Sequence, residues 1–318
     1  MYDLIGDVHG HADALERLLS KLGYSVRVDG VRAHPERRAI FLGDFVDRGP
    51  KQARTVEIAR SMVDAGTALA VMGNHEFNAV AWASPHPEQP GEWLRAHSAK
   101  NRRQHQAYLD QVDEGSALHQ SHVAWFRQLP LYLDLEGLRV VHACWHPEAL
   151  TTLQPWLDAR QSIRPDAWPA LALKAAPGYD ALETVLKGLE IPLPEGYGFL
   201  DKDSNPRHHI RTRWWEGEGR TYRDLALVPS SVLPDIPDAP VPPDVLPGYA
   251  GDKPVFVGHY WLSGEPAPLT PQIACLDYSI ASASLAGGPP GKLCAYRWHG
   301  EATLTAEHMT WVNGAATG

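Results

Sequence analysis

Apolar positions near the start of the chain fall into two alternating periods. Tyr2 to Ile5 is a short apolar run, and Ala12 to Leu22 sets Leu15, Leu18, Leu19 and Leu22 at helical spacing, which predicts strand, polar loop and helix in that order. The pattern then repeats. Arg38 to Leu42 reads as strand, Gln52 to Ala65 as helix, Ala68 to Met72 as strand and Glu76 to Ala83 as helix. Alternation of this kind predicts an α/β architecture.

Residues 84–129 turn polar and rich in Trp, His and Arg, with HPEQPG as a loop and a helix across Ala99 to Asp113, so this stretch reads as a helical insertion. Leu131 to Leu135 and Leu138 to His142 flank Glu136 and Gly137, the spacing of a tight β-hairpin. Residues 147–251 form a proline-rich cap and linker. In VPSSVLPDIPDAPVPPDVLP the X-Pro steps favour extended or turn backbone over helix. Val255 to Val257, Ile273 to Leu276 and Leu293 to Tyr296 read as late strands, with ASLAGGPPG as the turn between the last two. No internal repeat is found, and residues 1–318 are expected to form a single domain carrying these two insertions.

Composition narrows the picture. Of 318 residues, 44% are hydrophobic and 21% charged, which excludes wholesale disorder. The net charge of −9 makes nucleic acid an unexpected partner, so an anionic substrate needs a local source of positive charge. Cys144, Cys275 and Cys294 are odd in number and widely spaced, which suits reduced thiols. With no signal-peptide pattern at MYDLIGDVHG and no apolar run of membrane-spanning length, the expected location is cytoplasmic, with no membrane partner.

Five polar motifs follow strand-like runs in order: GDVHG from Gly6, GDFVDRG from Gly43, GNHE from Gly73, VHA from Val141, and Gly258–His259. Loops after the strands of an open α/β sheet face one crevice, so these residues can converge. Taken singly, each is ordinary loop punctuation, with glycine for the turn and Asp or Asn as a helix cap. Together they make a set of carboxylates, an amide oxygen and imidazoles suited to Mn, Fe, Zn, Ni or Co rather than to a thiolate metal. Asp7, Asp44 and Asp47 in one crevice would repel unless cations neutralised them.

This ordered set resembles the calcineurin-like metallophosphoesterases, and within them the phosphoprotein phosphatase branch. The resemblance implies a four-layer α/β/β/α sandwich of mixed sheets with helical and proline-rich cap insertions. It implies two divalent ions, manganese foremost, with Fe, Zn, Ni, Co or Mg as other fits. Asp7, His9 and Asp44 would hold one ion and Asp44, Asn74, His142 and His259 the other, with Asp44 between them. Two such cations, roughly 3.5–4 Å apart, lower the pKa of a shared water and clamp the phosphoryl oxygens, so the nucleophile would be hydroxide. His75 would protonate the leaving oxygen, oriented by Asp47. Arg48 offers a planar fork matched to phosphate, and the resemblance implies a second arginine from the cap, for which Arg213 in RTRWW is the candidate among Arg207, Arg211, Arg213 and Arg220.

The implied function is hydrolysis of phosphate monoesters, on a phosphoprotein or a small phosphorylated metabolite. The segments YWLSGEP and ACLDYSIASASLAGGPPGKLCAYRW are similar to those of symmetrical diadenosine tetraphosphatases of the same branch, which makes a dinucleoside polyphosphate the alternative substrate. Against that stand GNHE where that group has GNHD, and a cap unlike theirs. A non-catalytic metal-binding regulatory module is the reading of another class, opposed by the presence of His75, Asp47 and Arg48. Trp214 and Trp215 read as packing residues, KNRRQH from Lys100 as a solvated basic helix face, and His208 and His209 as surface residues.

Overall fold

The computed structural model describes residues 1–200, 205–217, 220–242, 245, 248–284 and 291–314. Its centre is a pair of sheets. The first is built on β1 (Tyr2–Ile5), β2 (Arg38–Phe41) and β3 (Ala68–Ala70). β1 and β2 run parallel with Tyr2 opposite Arg38 and Ile5 opposite Phe41, and β3 continues parallel on β2. The second sheet contains β4 (Tyr132–Asp134), β5 (Arg139–Val141), β6 (Val255–Val257) and β7 (Ile273–Cys275), in the order β7-β6-β5-β4. Its β4–β5 pair is the antiparallel hairpin expected around Glu136 and Gly137, while β5, β6 and β7 are parallel. β8 (Asp277–Tyr278), β9 (Lys292–Trp298) and β10 (Met309–Asn313) complete the first sheet, β9 pairing antiparallel with β1.

Alternate residues of these strands supply two different cores, because successive side chains point to opposite faces of a sheet. Leu4, Ile40, Val140 and Phe256 meet in the apolar layer between the sheets. Their neighbours Ile5, Phe41, Val141 and Val257 belong instead to the core under the helices. Such strands are buried on both faces and read as continuous apolar runs, as VFV at Val255 does. The layers are therefore helix, sheet, sheet, helix.

Helix α1 (Ala12–Lys21) buries Leu15, Leu18 and Leu19, and α2 (Gln52–Asp64) buries Val56, Ala59 and Met62. The helix expected from Glu76 starts two residues earlier, so that α3 (Asn74–Trp82) carries Asn74 and His75 in its first turn. α4 (Ala99–Val112) and α5 (Ala117–Phe126) are each capped by a serine: Ser98 Oγ accepts from the Asn101 amide and Ser116 Oγ from the His119 amide.

The stretch 147–251 holds more regular structure than its prolines suggest. Pro147 opens α6 (Pro147–Leu153) and Pro169 sits in the first turn of α7 (Trp168–Ala172), positions where a missing N–H costs nothing. α8 (Tyr179–Lys187) follows, and a short ladder pairs His209–Arg211 with Glu190–Pro192. From Val228 to Val245 the described residues contain a 3-10 turn at Leu233–Asp235 and an isolated antiparallel bridge from Pro240 to Thr221. Most of ASLAGGPPG lies outside the described residues. Cys144, Cys275 and Cys294 are free and buried. Among the described residues no helix is long and apolar enough to cross a membrane.

Candidate metal centre

The five motif loops leave the C-terminal ends of β1, β2, β3, β5 and β6 and are stitched together by main-chain bonds. The Val8 and His9 amides both donate to the Asp44 carbonyl, at 3.1 and 2.8 Å, and the Gly258 amide donates to that of His142 at 2.8 Å. His9, Asp44, Asp47, Arg48, His259 and Trp261 all take positive φ, between 46° and 75°. That conformation is unfavourable for non-glycine residues, and its concentration here marks a site whose geometry the surrounding fold imposes. Gly73 and Gly258 make room for carboxylates: a Cβ on Gly73 would collide with Asp44 Oδ1, and one on Gly258 with Asp7 Oδ1.

Asp44 Oδ2 is the hub. It lies 3.6 Å from His9 Nε2, 3.4 Å from His142 Nε2 and 3.8 Å from His75 Nε2. Asn74 Oδ1 lies 3.1 Å from His142 Nε2 and 2.9 Å from His259 Nδ1. Two triads are compact enough to hold an ion, His9–Asp44–His75 and Asp44–His142–His259, each with one donor atom per residue within 4.8 Å of the others. The outer nitrogens are tied down, as metal-ligating imidazoles require. His9 Nδ1 donates to the Val46 carbonyl at 3.0 Å and His142 Nδ1 to that of Leu42 at 2.7 Å, which leaves both Nε2 atoms facing inward. Asp7 Oδ2 accepts from the His259 amide at 3.0 Å, while Asp7 Oδ1 and His9 Nε2 are buried with no hydrogen-bond partner.

Those orphaned atoms fit a cation, since an unpaired buried polar atom is otherwise costly. The charges agree. Burial, Asp277 and Asp44 push the Asp7 carboxyl well above its usual range. Burial pushes His9 down to about 3 and His259 well below its ordinary value. Although burial opposes it, the Asp44 and Asp7 carboxylates push His142 up to about 10. Carboxylates and imidazoles buried this close together are a donor set whose charges a divalent cation would balance.

Next to the hub, His75 Nδ1 donates to Asp47 Oδ2 at 2.5 Å, leaving Nε2 toward Asp44. Burial lowers the His75 pKa, but Asp44 and Asp47 outweigh it and the net shift is upward. Arg48 lies over the Trp261 ring, 4.2 Å from its centroid. Arg213 is not among the residues brought together. It is exposed, and its amide bonds to Leu225. The cap arginine that reaches the centre is Arg211, whose Nη1 lies 3.2 Å from His259 Nε2.

Three further residues escaped the sequence reading. Glu76, fully buried, accepts from the amides of Asp44, Phe45, Val46 and Gly73 and so fixes the GDFVDRG loop against α3; burial and Asp44 push its carboxyl up to about 7. Asp277 accepts from the Trp261 and Ser279 amides and supports the turn after His259. His105 corrects the reading of KNRRQH as a solvated face: it is 3% exposed and donates from Nδ1 to Asp47 Oδ1 at 2.6 Å. The tryptophans behave as read. Trp214 and Trp215 are buried, and Trp214 Nε1 donates to the Tyr260 hydroxyl at 2.8 Å.

The family model for calcineurin-like phosphoesterases matches residues 2–189, more than half of the chain. The chain belongs to that family. Its members work through a dinuclear divalent-metal centre. The chain is 30% identical over 170 residues to the symmetrical bis(5'-nucleosyl)-tetraphosphatase of Vibrio cholerae, covering 53% of this chain and 54% of that one. It is 28% identical over 141 residues to the asymmetrical bis(5'-nucleosyl)-tetraphosphatase PrpE of Oceanobacillus iheyensis, covering 44% of this chain and 54% of that one. It thus spans about half the length of these curated relatives. In fold it is similar to the cold-active protein-tyrosine phosphatase of a psychrophilic Shewanella, with a TM-score of 0.50 at 17% identity, over 98% of this chain and 79% of that one.

Proposed function

We propose that the protein is a metal-dependent phosphoesterase that hydrolyses phosphate monoesters of a phosphoprotein or a small phosphorylated metabolite. The observation that carries this reading is the convergence of imidazoles on Asp44 Oδ2, with Asp7 Oδ1 and His9 Nε2 buried and unpartnered beside it. Asp7, His9 and Asp44 would hold one divalent ion, and Asp44, Asn74, His142 and His259 the second; the mixed oxygen and nitrogen donors suit manganese. When bound, such a pair supplies positive charge to the phosphoryl oxygens and makes water acidic enough to act as nucleophile near neutral pH.

The chain's own residues do the rest. His75 presents Nε2 for protonation of the leaving oxygen, while Asp47 holds Nδ1 at 2.5 Å and stabilises the imidazolium. Arg48, stacked on Trp261, is pre-oriented as a planar donor to the substrate's remaining oxygens.

A second reading, hydrolysis of a dinucleoside polyphosphate, is favoured by the names of the relatives matched over the shared half. Incubation of the purified protein with manganese, para-nitrophenyl phosphate, a phosphopeptide panel and diadenosine tetraphosphate separates the two. Manganese-dependent release of orthophosphate from monoesters, abolished by chelator, is expected. Exclusive formation of ADP from the dinucleotide would establish the second reading instead, and inertness toward every substrate would remove both.

A further inference from the structure

A cavity of about 580 Å³ adjoins the centre, with walls that include Asp47, Arg48, His75, Arg95, Arg103 and Lys187. Four cations therefore line it in a chain whose net charge is −9. They come from separate elements: Arg48 from the loop after β2, Arg95 from the segment before α4, Arg103 from α4 and Lys187 from the last turn of α8. The one carboxylate in the wall does not balance them, because both oxygens of Asp47 are taken by His75 and His105. Arg48 rests on a ring rather than on an acid. Arg95 Nη2 donates to Gln104 Oε1 at 2.8 Å, and its Nε is buried without a partner. Lys187 pairs with Glu183 at 2.5 Å, whereas no carboxylate among the described residues pairs with Arg103.

A single phosphate at the metal centre uses the ions and Arg48, and leaves Arg95 and Arg103 lining the cavity with no carboxylate paired to them among the described residues, beside Lys187, which shares its charge with Glu183. Guanidinium groups lining one space, here half-buried Arg95 and exposed Arg103, are an arrangement that recognises further phosphate oxygens. We propose that Arg95, Arg103 and Lys187 form a second phosphate subsite, so that the substrate carries at least one more phosphate beyond the one that is cleaved. This deepens the phosphoesterase reading and rests on it for the identity of the first subsite. Lys187 also lines a second cavity of about 1020 Å³ whose walls mix Phe199, Leu227 and Val232 with Glu183, Glu190 and Arg211, which gives an organic group on the phosphates room to lie.

Calorimetric titration of the manganese-loaded protein with orthophosphate, inorganic tripolyphosphate and fructose 1,6-bisphosphate, manganese being kept in excess of the anions, tests the second subsite with the first one in place. Tripolyphosphate or the bisphosphate is expected to bind about tenfold or more tighter than orthophosphate, a charge-assisted hydrogen bond's worth of affinity. The tighter of the two identifies a continuous phosphate chain or separated phosphates. Arg103→Ala and Arg95→Gln should shrink that preference toward one, whereas Arg27→Ala, which removes the same charge from a distant exposed ion pair, should leave it intact. Equal affinity for all three anions, or equal losses in all three variants, would overturn the subsite. Preference for polyanions in a protein that hydrolyses no phosphoester would overturn the catalytic reading and leave the subsite standing.

Discussion

His105 donates from Nδ1 to Asp47 Oδ1 at 2.6 Å, on the carboxylate whose other oxygen holds His75. The two imidazoles share one buried acid, and between them they hold the Asp47 carboxyl far below its usual range despite its burial. Asp47 is thus gripped from both sides, and its angle toward His75 depends on a side chain from α4. His105→Ala should loosen that angle and forfeit part of the roughly 10²–10⁴-fold that a positioned general acid supplies. The loss should fall mainly on kcat for alkyl phosphates and be small for para-nitrophenyl phosphate, whose leaving oxygen needs little protonation. Equal losses on both substrates would reduce His105 to a packing residue.

His75→Asn removes the proton donor itself. The expected outcome is a loss approaching roughly 10²–10⁴-fold on alkyl phosphates and a much smaller one on aryl phosphates, read as a steeper dependence of rate on leaving-group pKa. An unchanged slope would take the proton donation away from His75.

Glu76 gives a prediction about stability. Its carboxylate accepts from four backbone amides, those of Asp44, Phe45, Val46 and Gly73. Glu76→Ala strands these donors in a buried site at about 1–3 kcal/mol for each that finds no other partner, so destabilisation on the order of several kcal/mol is expected in urea unfolding. Glu76→Gln keeps the shape and one carbonyl acceptor and should cost less. A Glu76→Ala protein as stable as the parent would mean the loop is held by something else.

What the sequence made legible was whatever a single loop carries with it. GDVHG, GDFVDRG and GNHE each follow an apolar strand, so the position of Asp7, His9, Asp44 and Asn74 at one sheet end follows from strand direction alone. His105 was hidden because it stands 58 residues from Asp47 in the chain and among basic residues that look solvated; only the packing of α4 turns it inward. α5 was missed for a related reason: His119, His122, Val123, Trp125 and Phe126 are all buried, so the helix has no clear polar stripe to announce it. Arg211 and Arg213 share strand parity, and the choice between them is made by the pairing of His209–Arg211 with Glu190–Pro192, a register that composition does not encode.

His122 predicts a pH effect remote from the centre. Burial, with Arg60 and His119 adding repulsion, pushes it down to about 4, and its Nδ1 lies 3.3 Å from the Tyr108 hydroxyl. Its folded pKa is thus below the unfolded value near 6.5. The unfolded chain therefore binds the proton first as pH falls, and stability is lost between about pH 6.5 and 4. His122→Phe, which can pack against Phe126, should flatten the stability–pH curve in that window. A parallel curve for the variant would assign the acid sensitivity elsewhere.

Metal binding should be visible without catalysis. An ion that binds only the folded state adds about 2.7 kcal/mol of stability at a hundredfold excess over its Kd, so manganese should raise the melting temperature and chelator should lower it. Asp44 is the residue that the two proposed ion sites share, since its Oδ2 lies 3.6 Å from His9 Nε2 and 3.4 Å from His142 Nε2. Asp44→Asn keeps the side chain's size and the Oδ1 that accepts from the His75 amide at 3.0 Å, while removing the negative charge. The variant should fold, lose the manganese-dependent rise in melting temperature, and lose phosphoesterase activity with it. A variant that kept the full thermal shift would show that the ions are held without Asp44, and the two-ion arrangement around it would have to be abandoned.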